Sequence, residues 1–491
     1  MTVHLSLLIF APAVFALLGA LGGRIGPVIA LFGTVVSLGY AVILLVDFDY
    51  AGGLQYVTDD AWIDELGIRY SLGVDGLNLW LVALTALLFA ASALWIVLRP
   101  PDRAGLFSLH FGIAETAVLG AFLTQDLALF VLFFDLMLVP FYFLLGVWGG
   151  PDRVQAAVKM FIYTLVGSLL MLAGAVAVAV LSATGDEPLN FSLAFLRDNL
   201  VGENTQKLLF VAFGLAFLIK MPAFPFHGWM PDAYRNMPLP VLAVFSGVVS
   251  KVAAYGLLRI ALPLFPAAAE DWQLIMLILA VLSILYGSLQ AFTQTNLRLI
   301  LGYSSVAQLG FIVLGIFALD DAARGAQGAL LQAVNHGLVV APLFLIIALL
   351  AARAGGSEDI RDMGGIAKRA PVLAGLFMIV TLATLAMPGS ANFVGEFFIL
   401  LGVFESKLAV ALVASTGVVL ASIYALRMYI RSMHNREGPA VTSTEITLRD
   451  GLVIVPLVLV ILAFAVFPQR ALEAGEPAVK AVSAAVTGAG R

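Results

Sequence analysis

The sequence predicts an all-α polytopic membrane protein, on three observations. Of its 491 residues 62% are apolar and only 12% charged, against a charged share of about a quarter in soluble proteins. Apolar runs of about 20 residues recur along the whole chain, each long enough to cross a hydrocarbon layer roughly 30 Å thick at 1.5 Å per residue. Strand-like alternation is absent, so helices rather than a barrel are expected to span.

In order, about fourteen transmembrane helices are expected near residues 4–22, 26–46, 77–98, 106–123, 127–147, 155–182, 207–230 and 240–262, then 272–292, 300–318, 326–352, 372–403, 408–432 and 450–468. An even count places both termini on one side. With the termini outside, the inner loops hold more than half of the 26 basic residues, including Arg24, Arg99, Arg103, Arg153, Arg235, Arg298, Arg353 and Lys368. That bias favours termini outside. Acids gather instead in the first long outer loop, from Asp47 and Asp49 to Asp64, Glu65 and Asp75. The loops are short and no linker or charge block divides the chain, so residues 1–491 read as one membrane domain. The N-terminus lacks the basic n-region and small-residue cleavage site of a removable signal, so its first apolar run is expected to be retained.

Composition removes several function classes. With no cysteine, disulfides, thiolate zinc sites and iron–sulfur ligation are out of reach, so any electrons travel elsewhere. No Walker loop precedes a helix, and Gly19, Gly22, Gly23 and Gly26 lack the strand–turn–helix setting of a dinucleotide site. No cofactor or metal site is expected in the chain, and no nucleic-acid partner.

Two long runs are interrupted. Lys220-Met221-Pro222 breaks one, and Ala386-Met387-Pro388-Gly389 breaks another five helices later. Five-helix units of opposite topology, about 106–262 and 272–432, flanked by helices within 4–98 and 450–468, would place the breaks equivalently, as in inverted-repeat transporters. Coincidence of two Met-Pro pairs in Pro-tolerant membrane helices is the competing reading.

Inside the expected helices stand Glu115, Asp135, Lys220, Lys251 and Glu396, with His336 beside them. Each charge costs about 2.5 to 3.5 kcal/mol at the bilayer centre on insertion scales. Lys220 falls about 13 residues into its helix and Lys251 about 11 into the next, which puts both near one depth. An aligned row of titratable groups is what a lateral proton wire requires. A carboxylate moving toward or away from Lys220 would change how tightly the lysine holds its proton, which makes Asp135 and Lys220 a candidate switch. A static ion pair joining two helices is the alternative. His336, with Gln332 one turn before it and Asn335 next to it, could relay protons near neutral pH or serve as a satisfied core residue.

Pro222, Pro225 and Pro388 cannot donate to the carbonyls of Leu218, Met221 and Thr384. Freed carbonyls attract water, and Ser246, Ser250, Ser304, Ser305 and Gln308 would help to hold water chains, unless the serines bond back to their own helices. His227, toward the inner end of the broken helix, is either a proton-uptake group or a loop hydrogen-bonder. Glu115 either pairs with a neighbouring subunit or adds a second acid to the switch. Lys159 is expected to snorkel to the inner surface, and Trp62, Trp80, Trp148, Trp229 and Trp272 to anchor at the interfaces.

Several segments together resemble the antiporter-like membrane subunits of respiratory complex I, over almost the whole chain. They are Ser71-Leu-Gly-Val-Asp-Gly-Leu77, Phe133-Phe-Asp-Leu-Met-Leu-Val-Pro140, Lys220-Met-Pro to Pro231-Asp-Ala, and Lys251-Val-Ala-Ala-Tyr-Gly-Leu257. Tyr303-Ser-Ser-Val-Ala-Gln-Leu-Gly310, Asn335-His-Gly337 and Phe393-Val-Gly-Glu-Phe397 extend the likeness. Glu396 stands where L-like and N-like members typically carry lysine, and no long lateral extension follows the last expected span, so the M-type branch is favoured. One departure is Asp135, where the family usually has glutamate; the shorter side chain puts direct contact with Lys220 in question. The resemblance implies Asp135 and Lys220 as a switch, Lys251 and His336 as a central relay, and Glu396 as a terminal proton site. It further implies L-like and N-like neighbours in a bacterial inner membrane, with NADH, FMN, iron–sulfur clusters and quinone handled by partner subunits. Subunits of multisubunit sodium/proton antiporters and membrane-bound hydrogenases share most of these motifs and remain the alternative.

Overall fold

The computed structural model describes residues 4–183, 188–442 and 444–489. The chain opens with α1 (Leu5–Leu21) and α2 (Gly26–Asp47), which pack side by side and against the later helix Ala104–Leu123. A hairpin of β1 (Gln55–Ile63) and β2 (Ile68–Val74) follows, paired antiparallel with Asp59 opposite Ser71 and Asp60 opposite Tyr70. The first long acidic loop thus holds two strands, although no strand-like alternation was expected. Its β-branched and aromatic residues favour strand, but β1 also carries exposed Asp59, Asp60 and Ala61, so no long apolar run reveals it.

Next come α3 (Leu79–Leu98), α4 (Ala104–Leu123), α5 (Leu127–Leu136), α6 (Leu138–Trp148), α7 (Arg153–Ser182) and the short α8 (Leu193–Asp198). The single helix expected over 127–147 is two, divided by a turn at Met137 ahead of Pro140, whose missing N–H weakens the ladder there. Asp126 caps α5 by accepting from Leu129 N–H at 3.0 Å, and its other oxygen accepts from Arg69 N–H at 3.1 Å. One side chain thus starts a helix and docks the hairpin on it.

The segment α9 (Glu203–Lys220) ends at the first break, and α10 (Met230–Asn236) resumes after a 3₁₀ turn at Phe226–Trp229. Then α11 (Leu239–Val244), a π segment (Phe245–Val249), α12 (Ser250–Gly256), a second π segment (Leu257–Ala261) and α13 (Leu262–Leu264) form one continuous rod. The short α14 (Pro266–Asp271) leads to α15 (Gln273–Thr293), α16 (Leu297–Ile316) and α17 (Arg324–Arg353). The second break separates α18 (Pro371–Thr384) from α19 (Ala391–Ser406), and α20 (Leu408–Met433), α21 (Leu448–Val466) and α22 (Gln469–Ala489) complete the chain. Among the described residues, 11 helices are long and apolar enough to cross a membrane, and Leu5–Leu21 and Pro371–Thr384 are shorter apolar helices.

The last helix was not expected. With Glu473, Glu476 and Lys480 on it, α22 is too polar to signal a span, and it lies against α13, α14 and α17 at the end of the bundle that carries the hairpin. The rod α11–α13, α16 and α17 are buried nearly all round, whereas α1, α2, α7, α20 and α21 expose leucine and valine outward. A helix apolar on every face belongs at the centre of a bundle, so Lys251 and His336 sit on elements enclosed by protein, whereas Lys220 and Glu396 lie on the inward faces of helices that also expose apolar side chains.

Candidate functional site

The first break is built around Lys220, the last residue of α9. Pro222 cannot bond the carbonyl of Leu218, but Ala223 N–H does so at 3.0 Å, and the Trp229 indole donates to the Ile219 carbonyl at 3.0 Å. Trp229 is therefore a buried cap on a helix end, not the interfacial anchor expected of it, and the Leu218 carbonyl is not free for water. Lys220 Nζ donates to the Phe134 carbonyl at 2.9 Å and stands 4.1 Å from the centre of the Phe134 ring. An ammonium over a ring face is attracted by its quadrupole.

The expected acid partner is one residue away and does not touch it. Asp135 is partly buried beside Ser168, its Oδ1 has no hydrogen-bond partner, and the ion pairs among the described residues do not join it to Lys220. A cavity of about 10 Å³ beside Lys220, lined by Met137, Thr164 and Trp229 among others, is at the lower limit for one water molecule.

Lys251 is completely buried and held by hydroxyl and carbonyl oxygen. Its Nζ donates to the Ser246 carbonyl at 2.6 Å and to Ser250 Oγ at 3.2 Å. The π winding of Phe245–Val249 departs from the i→i−4 ladder, which makes the Ser246 carbonyl available to a side chain. Ser246 Oγ lies 3.3 Å from Ser305 Oγ on α16. Gly337 lets α17 close on this segment: a Cβ there would stand 2.4 Å from the Gly247 carbonyl oxygen. The adjacent His336 is buried with Nδ1 unpartnered among the described residues.

At the second break Ala386 and Gly389 adopt positive φ, and Pro388 lies between them. Glu396 is 3% exposed, and its Oε1 accepts from Gln332 Nε2 at 3.3 Å; the same nitrogen donates to Gln308 Oε1 at 2.7 Å. Gly395 makes room for Gln332, whose oxygen would be 2.5 Å from a Cβ at that position. Asn335 Nδ2 donates to the Ala391 carbonyl at 2.6 Å, tying α17 to the first residue of α19. Ser304 and Tyr424 hydroxyls are 2.8 Å apart, whereas Ser305 bonds back to Leu301 on its own helix. Several buried atoms here have no protein partner among the described residues: Gln308 Nε2, Gln332 Oε1, Asn335 Oδ1 and both polar atoms of Asn392. Such a concentration of polar atoms is the setting that ordered water satisfies.

Glu115 stands apart from these clusters. It is 0% exposed, with both carboxyl oxygens unpartnered among the described residues. His227 is stacked among Phe224, Tyr286 and Tyr303, with ring centres 5.8, 4.8 and 6.3 Å away. Lys159 does not simply snorkel; it pairs with Asp232 at 2.7 Å on the same side of the molecule.

Sequence reasoning missed Tyr424, Ser168 and a buried pair in which Arg259 contacts Asp75 at 2.5 Å and Tyr255 at 3.0 Å. Arg259 lies eight residues after Lys251 on one apolar rod, a signal the sequence did carry. Tyr424 and Ser168 carried none, because a tyrosine or serine in an apolar helix is ordinary.

The family described as NADH:quinone oxidoreductase/Mrp antiporter, TM, matches residues 124–421. The chain is 36% identical to NADH-quinone oxidoreductase subunit M of Rhodobacter capsulatus over 495 aligned residues, covering 97% of this chain and 95% of the relative. A chain of respiratory complex I from Thermus thermophilus superposes with a TM-score of 0.90 at 30% identity, covering 99% of this chain and 100% of that one. A chain of the Mrp complex of a Dietzia species has the same fold, with a TM-score of 0.86 at 22% identity over 99% of this chain and 100% of that one. Identity at that level across nearly the full length shows that the chain belongs to the NADH:quinone oxidoreductase/Mrp antiporter membrane family, among its subunit M relatives.

Proposed function

We propose that the chain is a proton-translocating, antiporter-like subunit of an NADH:quinone oxidoreductase in the bacterial inner membrane. The observation that carries this reading is the set of buried ionisable groups Lys220, Lys251, His336 and Glu396, with the half-buried Asp135 beside them; Lys220 and Glu396 lie at helix breaks and Lys251 follows a π-wound turn. Its subunit M relatives supply the assembly. The chain would cross the membrane fourteen times with both termini outside, and residues 106–262 and 272–432 would form inverted repeats around the two breaks. L-like and N-like subunits would flank it. NADH, FMN, iron–sulfur clusters and quinone would be bound by other subunits, and this chain would have no electron-transfer site.

The switch works by exchange of partners at Lys220. Phe134 and Asp135 are consecutive, and α5 ends one residue later at the Met137 turn. A small rotation of that short end would trade the Phe134 carbonyl for the Asp135 carboxylate, strengthening the hold of Lys220 on its proton; reversal would release the proton toward Lys251. Ser246, Ser250, His336 and hydrating water pass it on to Glu396, with His227 serving uptake toward the inner side and Glu115 adding a second acid to the switch. Lys220→Ala and Lys251→Ala, made in the assembled complex in vesicles, should each abolish most NADH-driven proton uptake. Uptake at the unsubstituted rate in both would leave the buried groups as structural pairs only. Copurification with flavin and iron–sulfur subunits that oxidise NADH distinguishes this assembly from a purely membrane-embedded sodium/proton antiporter or a hydrogenase.

A further inference from the structure

Tyr424 is among the largest side chains that are fully buried, on a helix, α20, whose other face exposes Leu412, Val419 and Ile423. Phenylalanine would fill that space as well, so the hydroxyl needs a polar reason. The hydroxyl lies 2.8 Å from Ser304 Oγ, and Ser304 stands one turn of α16 before Gln308, on the same face of that helix. Ser304 is followed by Ser305, which faces Ser246 at 3.3 Å, and Ser246 and Ser250 hold Lys251. On the other side Gln308 meets Gln332 at 2.7 Å, and Gln332 donates to Glu396. Polar groups therefore line α16 and α20 between Lys251 and Glu396, and because Ser305 bonds back to Leu301, passage between Ser305 and Ser304 needs a bridging water. By contrast, His336 makes no hydrogen bond among the described residues, and its Nδ1 is buried without a partner.

We propose that the Tyr424 hydroxyl is the proton-passing link between the serine cluster at Lys251 and the carboxyl of Glu396. The inference rests on the relay reading of Lys251 and Glu396 and names the route between them. A phenol accepts a proton at oxygen while giving up its own, so it can sit in a chain of transfers and end neutral. In one passage the Lys251 ammonium becomes an amine and the Glu396 carboxylate becomes an acid. The serine hydroxyls, the phenol and the water between them each take one proton and release one. Gln308 and Gln332 carry no net proton; their amides position Glu396, and their unpartnered Nε2 and Oε1 provide a donor and an acceptor for a water bridging phenol and carboxyl.

The test is Tyr424→Phe in the intact oxidoreductase, reconstituted in vesicles, with Ser304→Ala, Lys251→Ala and Glu396→Gln in parallel. Assembly is checked by the mass of the complex and by electron transfer from NADH to an artificial acceptor. Proton uptake per NADH should fall at least about tenfold in Tyr424→Phe, within the range of a lost proton-transfer group, and less in Ser304→Ala. The solvent deuterium effect on uptake should change in both, a readout that loss of packing alone would not move. Unsubstituted uptake in Tyr424→Phe, or a loss with an unchanged deuterium effect, overturns the link while Lys251→Ala remains defective. Unsubstituted uptake in Lys251→Ala and Glu396→Gln would instead overturn the relay reading beneath it. If Tyr424→Phe does not assemble, Ser304→Ala decides: uptake and deuterium effect both unchanged count against the link.

Discussion

The two broken helices carry opposite charges on opposite sides of their breaks. Lys220 is the last residue before the first gap, and Glu396 lies in the second turn after the other. A helix C-terminus favours a cation and an N-terminus an anion by about 0.3–1 kcal/mol in the terminal turn, falling off beyond it. Each break therefore favours the charge it bears, yet by less than the roughly 2.5–3.5 kcal/mol of inserting that charge. Neighbouring groups must do the rest, and here the regions differ. At Lys220 the partners are one carbonyl and one ring, with an acid adjacent in sequence but not in contact. At Glu396 they are amides fixed on two other helices, which hold the carboxyl in one place. The first arrangement has an alternative partner within one residue and suits a switch; the second suits a fixed acceptor.

The largest expected effect breaks the first region. Lys220→Ala should reduce NADH-driven proton uptake by about 100-fold or more, measured in vesicles, whereas Glu396→Asp, which keeps the acid, should reduce it far less. Asp135→Glu sharpens the comparison: the added methylene brings the acid within reach of Lys220, so proton uptake should persist and its pH profile should move, while Asp135→Asn should lose most uptake. Equal behaviour of those two variants would remove the partner exchange.

Structural contacts supply smaller effects and a control. Asp75→Asn leaves Arg259 buried beside Tyr255 without its acid, which should cost about 3–5 kcal/mol, seen as a lower thermal midpoint of the purified subunit. Trp229→Phe removes the donor to the Ile219 carbonyl and should cost about 1–3 kcal/mol, loosening the first break without touching the second. The smallest effect lies in the loop before α18. The Arg361 guanidinium holds the Asp359 carboxyl down at about 2, below its ordinary 3.8. A lowered folded value stabilises fully above the unfolded value and is lost as pH falls through about 2, so Asp359→Asn should flatten acid unfolding between pH 4 and 2 and change little at pH 7.

Helices and candidate site residues were legible to different degrees. The apolar runs marked the segments where long helices occur, and Met-Pro marked both breaks, because proline removes a donor wherever it falls. The turn at Met137 was not legible: the apolar run continues across it, and Pro140 near the start of α6 can be tolerated in one continuous helix as well as next to a break. The hairpin and α22 were missed because each is half solvated, so neither presents a long apolar run.

The sequence alone determined that the chain is a membrane protein of helices, which residues are charged within apolar runs, and where proline breaks those runs. These are properties of local composition and of backbone donors, which no neighbour can alter. Only the tertiary structure decided partners. It set Lys220 on Phe134 instead of Asp135, closed the Leu218 carbonyl with Ala223, turned Trp229 inward, enclosed Glu115, and brought Tyr424 from a distant helix to Ser304. Hydrogen bonds form or fail over tenths of an ångström, and helix packing, not residue spacing along one chain, fixes distances on that scale.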